Sequence, residues 1–203
     1  MSAFRFLLFL LIFIFTSFAY SQTSRKKPQK PQKNPYPQAY VNFQDFKTLV
    51  GEVEKHRAKR LVSLDDFLKM SKEKNTIILD ARSAIRFQRK HMQGAKNLAF
   101  TDFTEDNLRE LIPDTNTRIL IYCNNNFDGD RIDFPSKIAS PSPALQSQAP
   151  TNQILANRRP IMLALNIPTY INLYGYGYRN VYELDELVNI NDSRIRFEGT
   201  EIK

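Results

Sequence analysis

Cys123 is the only cysteine among 203 residues, so an intramolecular disulfide is ruled out and any thiol chemistry runs through one sulfur. Such chemistry needs a thiolate, and a free thiol titrates near about 8.5 unless a cation, a helix N-terminus or a ring of amides lowers it. Cys123 follows the apolar run Arg118 to Tyr122 and precedes Asn124, Asn125, Asn126, Phe127 and Asp128. Asparagine tolerates left-handed backbone, so these residues can turn amide donors toward a sulfur. Asp128 and Asp130 oppose a thiolate if they face it. The competing account makes Cys123 a small buried residue at a strand end, a common place for cysteine. Asp80 and Arg82 form a second candidate group, read as an ion pair fixing a strand end in a ligand pocket. His56 and His91 are too far apart in sequence for metal-ligand spacing, so neither a metal nor another cofactor is expected. His91 is read as a packing residue. Gly175-Tyr-Gly177 lacks the third glycine and following helix of a dinucleotide fingerprint. The tyrosines at 170, 174, 176, 178 and 182 suit a helix and strand core better than a carbohydrate platform.

These residues need elements to hold them. Phe43, Phe46, Val50 and Val53 recur at helical spacing, predicting an amphipathic helix that ends near Arg57. Leu61-Val62 is a short strand, and Ser63 caps a helix with Asp65 and Asp66 in its first turn. Thr76 to Leu79 reads as a strand buried on both faces, as in a parallel sheet. A helix is expected over Ser83 to Lys90, a loop over His91 to Ala95, and a strand over Asn97 to Phe100. Thr104 caps a helix that Pro113 closes. Arg118 to Tyr122 is the strongest strand signal. Residues 124–160, rich in turn formers and low in hydrophobicity, read as a long insertion. Pro168 suits the first turn of a helix ending at Gly175/Gly177, and Asn180 to Glu183 reads as the last strand. Alternating strands and helices imply an α/β fold with a mainly parallel sheet, whose ligands bind at the carboxyl ends of the strands.

The order of these pieces resembles the rhodanese family over about residues 60–190. Val62-Ser-Leu-Asp-Asp-Phe-Leu68 is similar to the family's opening strand and helix. Leu79-Asp-Ala-Arg82 resembles its Asp-x-Arg strand end, and His91-Met-Gln-Gly-Ala-Lys-Asn97 its His-x-x-Gly-Ala-x-Asn segment. Ile119 to Cys123 resembles the strand delivering the catalytic cysteine, and Gly177-Tyr-Arg-Asn-Val-Tyr182 the closing strand. The resemblance implies a three-layer α/β/α domain with a mainly parallel five-stranded sheet. It implies Cys123 as the catalytic, sulfur-bearing thiol, with Asp80, Arg82, Asn124, Asn125, Asn126, Phe127, Gly129 and Arg131 around the substrate. Active members follow their cysteine with a loop of the form Cys-x-x-Gly-x-Arg. Here asparagine replaces that glycine and aspartate that arginine, with Gly129 and Arg131 displaced along the chain. The Gly-Gly that usually follows the last strand is absent, and Asp185-Glu186 stand near its place.

The remaining features concern address and partners. Arg5 followed by the apolar run Phe6 to Phe15, with small residues around Ala19 and Ser21, reads as a signal peptide over residues 1–21. No cysteine follows the run, so a lipoprotein anchor is not expected. Residues 22–40 form a basic Pro/Lys/Gln linker, and 41–203 the folded domain. The net charge of +8 resides mostly in residues 1–40, which carry six basic and no acidic side chains. A nucleic-acid binder concentrates such charge on its folded domain, so no nucleic acid is expected. A periplasmic or secreted location follows, without stable membrane insertion after cleavage. Two functions remain open: a sulfurtransferase or persulfide carrier, acting on a small sulfur donor or acceptor thiol, and a catalytically degenerate binding module whose 124–160 insertion contacts an extracytoplasmic protein. A redox sensor is a weaker third reading. A cysteine-dependent phosphatase is disfavoured because no arginine stands where its phosphate cradle needs one.

Overall fold

In the computed structural model, residues 36–140 and 160–202 are described. The expected signal peptide, most of the linker and residues 141–159 of the insertion lie outside them. The chain divides into two units, Met1–Val41 and Asn42–Lys203. Residues 36–41 are exposed and carry neither helix nor strand.

The second unit is built on five parallel strands. These are β1 (Leu61–Val62), β2 (Thr76–Asp80), β4 (Lys96–Asn97), β5 (Arg118–Tyr122) and β9 (Val181–Leu184), in the order β1-β9-β5-β2-β4. β3 (His91–Met92) precedes β4 in the chain and lies outside this sheet. Alternation along the strands sorts the core into two layers. Ile119, Ile121, Leu79 and Val181 face helices α1 (Phe43–Arg57), α4 (Glu105–Leu111) and α5 (Asn166–Gly175) through Val53, Leu108, Tyr170 and Leu173. Leu120, Tyr122, Ile78 and Leu184 face the opposite side, against Leu64 and Phe67 of α2 (Leu64–Met70) and Phe87 of α3 (Ala84–Arg89). Burying each such side chain contributes roughly 1.5–3 kcal/mol.

Local chemistry starts the helices where the sequence places caps. Ser63, Ser83 and Thr104 side chains each accept the backbone N–H three residues on, and Asn42 accepts from both Gln44 and Asp45; each cap contributes about 1 kcal/mol. α5 ends in a Schellman motif. Gly177, at φ 97°, lets the Tyr178 N–H reach the Leu173 carbonyl at 3.0 Å and its own N–H reach Tyr174 at 3.1 Å. An ion pair ties α1 to the sheet, with Arg57 Nε and Nη2 donating to buried Glu183 at 2.5 and 2.6 Å.

Two local expectations change. His91-Met92 is not a loop but β3, paired antiparallel with β11 (Phe197–Glu198). The strand expected over Asn97 to Phe100 is only Lys96–Asn97. Beyond it the Leu98 and Phe100 N–H groups donate to the Asp80 and Ala81 carbonyls, and the chain turns into a 3₁₀ helix at Phe100–Asp102. The expected tyrosine core holds in part: Tyr170 and Tyr178 are buried and donate to the Val181 and Ile112 carbonyls, Tyr174 and Tyr182 are half-buried, and Tyr176 is exposed. Among the described residues no helix is long and apolar enough to cross a membrane.

Candidate functional site

β2 and β5 are adjacent and parallel, with Asp80 level with Tyr122. Their carboxyl ends therefore bring the Asp80–Arg82 turn beside Cys123. Asp80 and Arg82 are 0% and 2% exposed. The Asp80 carboxylate accepts from the Arg82 backbone N–H at 2.9 Å, from its Nε at 3.0 Å and Nη2 at 2.6 Å, and from the Tyr122 hydroxyl at 2.6 Å. Arg82 also donates to the Asp133 and Lys90 carbonyls and lies over the Phe134 ring. Burial, and then the Asp80 charge, push the Tyr122 hydroxyl well above the ordinary phenol range. The pair braces the strand ends and the start of the insertion.

Cys123 is 2% exposed. Its Sγ accepts the Leu165 N–H at 3.3 Å, so the residue just before α5 caps the sulfur. Burial pushes the thiol above its ordinary value; N–H groups of Leu165 and Asn124 act in the opposite direction, as does Arg82 against Asp80. The neutral thiol is therefore the resting form at neutral pH.

The chain after Cys123 turns its Asn124 N–H to the sulfur and then leads away from it. Asn124–Asn126 form a 3₁₀ turn, and Phe127-Asp128 become β6, paired parallel with β10 (Val188–Asn189). Phe127 is a core residue, packed against Phe134, Phe197 and Tyr122. Asn126 is buried and structural. Its Oδ1 accepts from the Cys123 N–H at 2.9 Å and from Asn166, and its Nδ2 donates to the Leu184 and Glu186 carbonyls. Asn125 exchanges two hydrogen bonds with the Lys137 backbone and so anchors the insertion. Gly129 and Arg131 are exposed beyond β6. A Cβ on Gly129, at φ 97°, would come within 3.2 Å of Ile190, which accounts for the glycine there. Asp128 is exposed and Asp130 pairs with Lys90 at 3.0 Å.

A cleft of about 340 Å³ opens at this edge of the sheet, lined by Ala81, Arg82, Ser83, Arg86, Phe100, Asn124, Pro135, Lys137 and Leu165 among others. No carboxylate lines it, and with Arg82 neutralised by Asp80, Arg86 and Lys137 supply its charge. Asn124 is 3% exposed and its Oδ1 has no hydrogen-bond partner. Of the residues expected around a substrate, the fold thus brings Arg82 and Asn124 to the cleft. Arg86 and Lys137 were not anticipated: Arg86 lies on α3 and Lys137 in the insertion, and only the fold brings both to the cleft. On the other flank of the 3₁₀ turn, a hollow of about 270 Å³ combines Met162, Ile167 and Leu187 with Asp185 and Glu186. No group of three or more potential metal ligands occurs among the described residues. His91 stacks on Phe87 and bonds the Phe87 carbonyl through Nδ1, a packing role.

Residues 63–133 match the family model of the rhodanese-like domain, and the chain carries such a domain, on a mixed α/β fold with a five-stranded parallel sheet. Solved structures similar to it include the BH2092 protein from Bacillus halodurans, 17% identical over 74% of this chain and 87% of that chain with a TM-score of 0.42. A rhodanese with anions from E. coli is 16% identical over 62% of this chain and 99% of that chain, with a TM-score of 0.34. No curated protein matches the sequence.

Proposed function

We propose that this rhodanese-like domain is a binding module rather than a sulfurtransferase, with the cationic cleft at Arg86 and Lys137 as its recognition surface for an anionic group on an extracytoplasmic partner. One observation carries the reading: Cys123 is 2% exposed and its sulfur is capped by the Leu165 N–H. Sulfur transfer requires an accessible thiolate, and burial disfavours both the thiolate and access to it. The insertion carries β7 (Ile138–Ala139), which pairs antiparallel with β8 (Ile161–Met162) just beyond it, and the cleft takes Lys137 from the insertion and Leu165 from the chain after β8. Export rests on residues 1–21 of the sequence.

The persulfide-carrier reading draws support from the N–H groups of Leu165 and Asn124 acting on the sulfur. It requires Leu165, just before α5, to move aside. The thiolate would then attack the outer sulfur of thiosulfate, forming a new S–S bond as sulfite leaves with the electron pair of the old one. The test is an intact mass of the chain after incubation with thiosulfate and with a low-molecular-weight persulfide, beside Cys123→Ser. The binding module predicts no added sulfur on either protein. It further predicts saturable amide shifts at Asn124 and Lys137 on adding sulfate, abolished in Arg86→Glu/Lys137→Glu and retained in Cys123→Ser. One added sulfur on the wild type alone would replace the binding module by the carrier.

A further inference from the structure

The opposite pole of the sheet carries a second concentration of positive charge, independent of the cysteine site. A hollow of about 440 Å³ is lined by Glu52, Lys55, His56, Lys59, Arg60 and Tyr182. Its place follows from the chain: α1 ends at Arg57, β1 begins at Leu61, and Arg60 immediately precedes that strand. Arg118 and Asn180 stand at the amino ends of β5 and β9, so this is the amino edge of the sheet, whereas Cys123 follows a carboxyl end.

The cations here lack partners of opposite charge. By contrast, Arg57 pairs with Glu183, Arg82 with Asp80, Arg89 with Asp133 and Arg118 with Glu73. Lys55, Lys59, Arg60 and Arg179 take part in none of the ion pairs among the described residues, and Glu52 is the single acid lining the hollow. Two of the four are nonetheless held in place. Arg60 lies 4.8 Å from the Tyr182 ring centroid and donates to Asn180, while Arg179 lies 3.5 Å from the Tyr174 ring centroid and donates to the Tyr174 carbonyl. Fixed guanidiniums on aromatic faces lose less freedom on gripping an oxyanion than free ones do. Tyr170 donates its proton to Val181, so the His56 Nδ1–H donates to the Tyr170 oxygen at 2.9 Å and Nε2 is left as the acceptor. The local field shows on this imidazole, whose pKa is lowered by burial and then by Arg60, Arg179 and Lys59.

We propose that this hollow binds a multiply charged oxyanion of phosphate chemistry, gripped by Lys55, Lys59 and Arg60 with Arg179 at the flank. Part of the charge in the last turn of α1 offsets the helix dipole. That role does not account for Lys59, Arg60 and Arg179, which lie outside the helix. A bound polyanion neutralises the cations around His56, so the imidazole becomes easier to protonate.

The full chain is titrated with inorganic pyrophosphate while the His56 ring resonances are followed by NMR against pH. The expected result is saturable binding that raises the His56 titration midpoint, weakened at least about tenfold in Lys55→Glu/Lys59→Glu. Those two exposed positions leave the core untouched, and the circular dichroism of the variant confirms folding. A parallel arm mixes the chain with vesicles carrying phosphomonoester headgroups and with neutral vesicles. Binding to free pyrophosphate assigns a soluble ligand. Binding confined to phosphomonoester vesicles, and lost in the same variant, assigns a lipid headgroup. Absence of both, or equal binding by the variant, overturns the proposal. Arg86→Glu/Lys137→Glu retains this binding, so its outcome is separate from that of the cleft at Cys123.

Discussion

Replacing Arg82 by methionine tests whether the Asp80–Arg82 pair is a brace or a ligand group. The side chain is 2% exposed and its guanidinium donates to both Asp80 oxygens and to two carbonyls, from Asp133 and Lys90. Methionine fills much of the volume and keeps contact with Phe134, but leaves the Asp80 carboxylate with only the residue-82 N–H and the Tyr122 hydroxyl. Removing one partner of a buried pair costs about 3–5 kcal/mol, because the remaining charge is stranded. For a domain of this size that corresponds to roughly 6–20 °C in Tm. The chain has no tryptophan, so urea unfolding is best read by far-ultraviolet circular dichroism and tyrosine fluorescence. The double variant Asp80→Asn/Arg82→Met removes both charges and recovers at least about 1 kcal/mol relative to Arg82→Met alone. A loss below about 1 kcal/mol in Arg82→Met would refute the brace. The pair would then be solvated enough to serve a ligand.

Three further outcomes follow from the same geometry. Iodoacetamide should modify Cys123 at least about 100-fold more slowly in the native chain than in urea, because the sulfur reacts only when its cover opens; intact mass against time gives the ratio. Asn126→Ala should cost about 2–4 kcal/mol in urea unfolding, since it strands the Cys123 N–H and the Leu184 and Glu186 carbonyls; a neutral result would mean that water replaces them. Tyr122, Tyr170 and Tyr178 all titrate above the ordinary phenol range, each chiefly from burial. The unfolded chain therefore releases these protons first, and the tyrosines' contribution to stability is flat below about pH 10 and falls above it by up to about 1.4 kcal/mol per pH unit for each tyrosine. Tyrosinate absorbance at 295 nm (about the tyrosinate band) should rise together with loss of ellipticity, and ionisation in a still-folded chain would contradict the burial.

Much of the scaffold was legible in the amino-acid sequence because it depends on local rules. The caps at Ser63 and Thr104, the continuous apolar run before Cys123, and Gly177 after α5 each specify backbone geometry within a few residues. The parallel order follows once strands alternate with helices, and that places Asp80, Arg82 and Cys123 at one edge. Short pairings between distant segments were not legible. β3 with β11 and β6 with β10 involve two residues each, too few for a periodic signal, and their partners lie in the last 16 residues of the chain, where no element was expected. Whether a thiol is bare or covered depends on what packs against it. Here Leu165, 42 residues away in sequence, closes over Cys123. Likewise Phe127 looked like a loop residue by its neighbours, yet β10 draws it into the core. The sequence by itself determined the helices, the longer strands of the parallel sheet and the address of the cysteine, since turns, caps and hydrophobic period act at short range. Only the tertiary structure decided that the sulfur is buried, that Arg86 and Lys137 line one cleft, and that four unpaired cations gather at the other pole. Burial and electrostatic potential are sums over neighbours in space, which the chain acquires on folding.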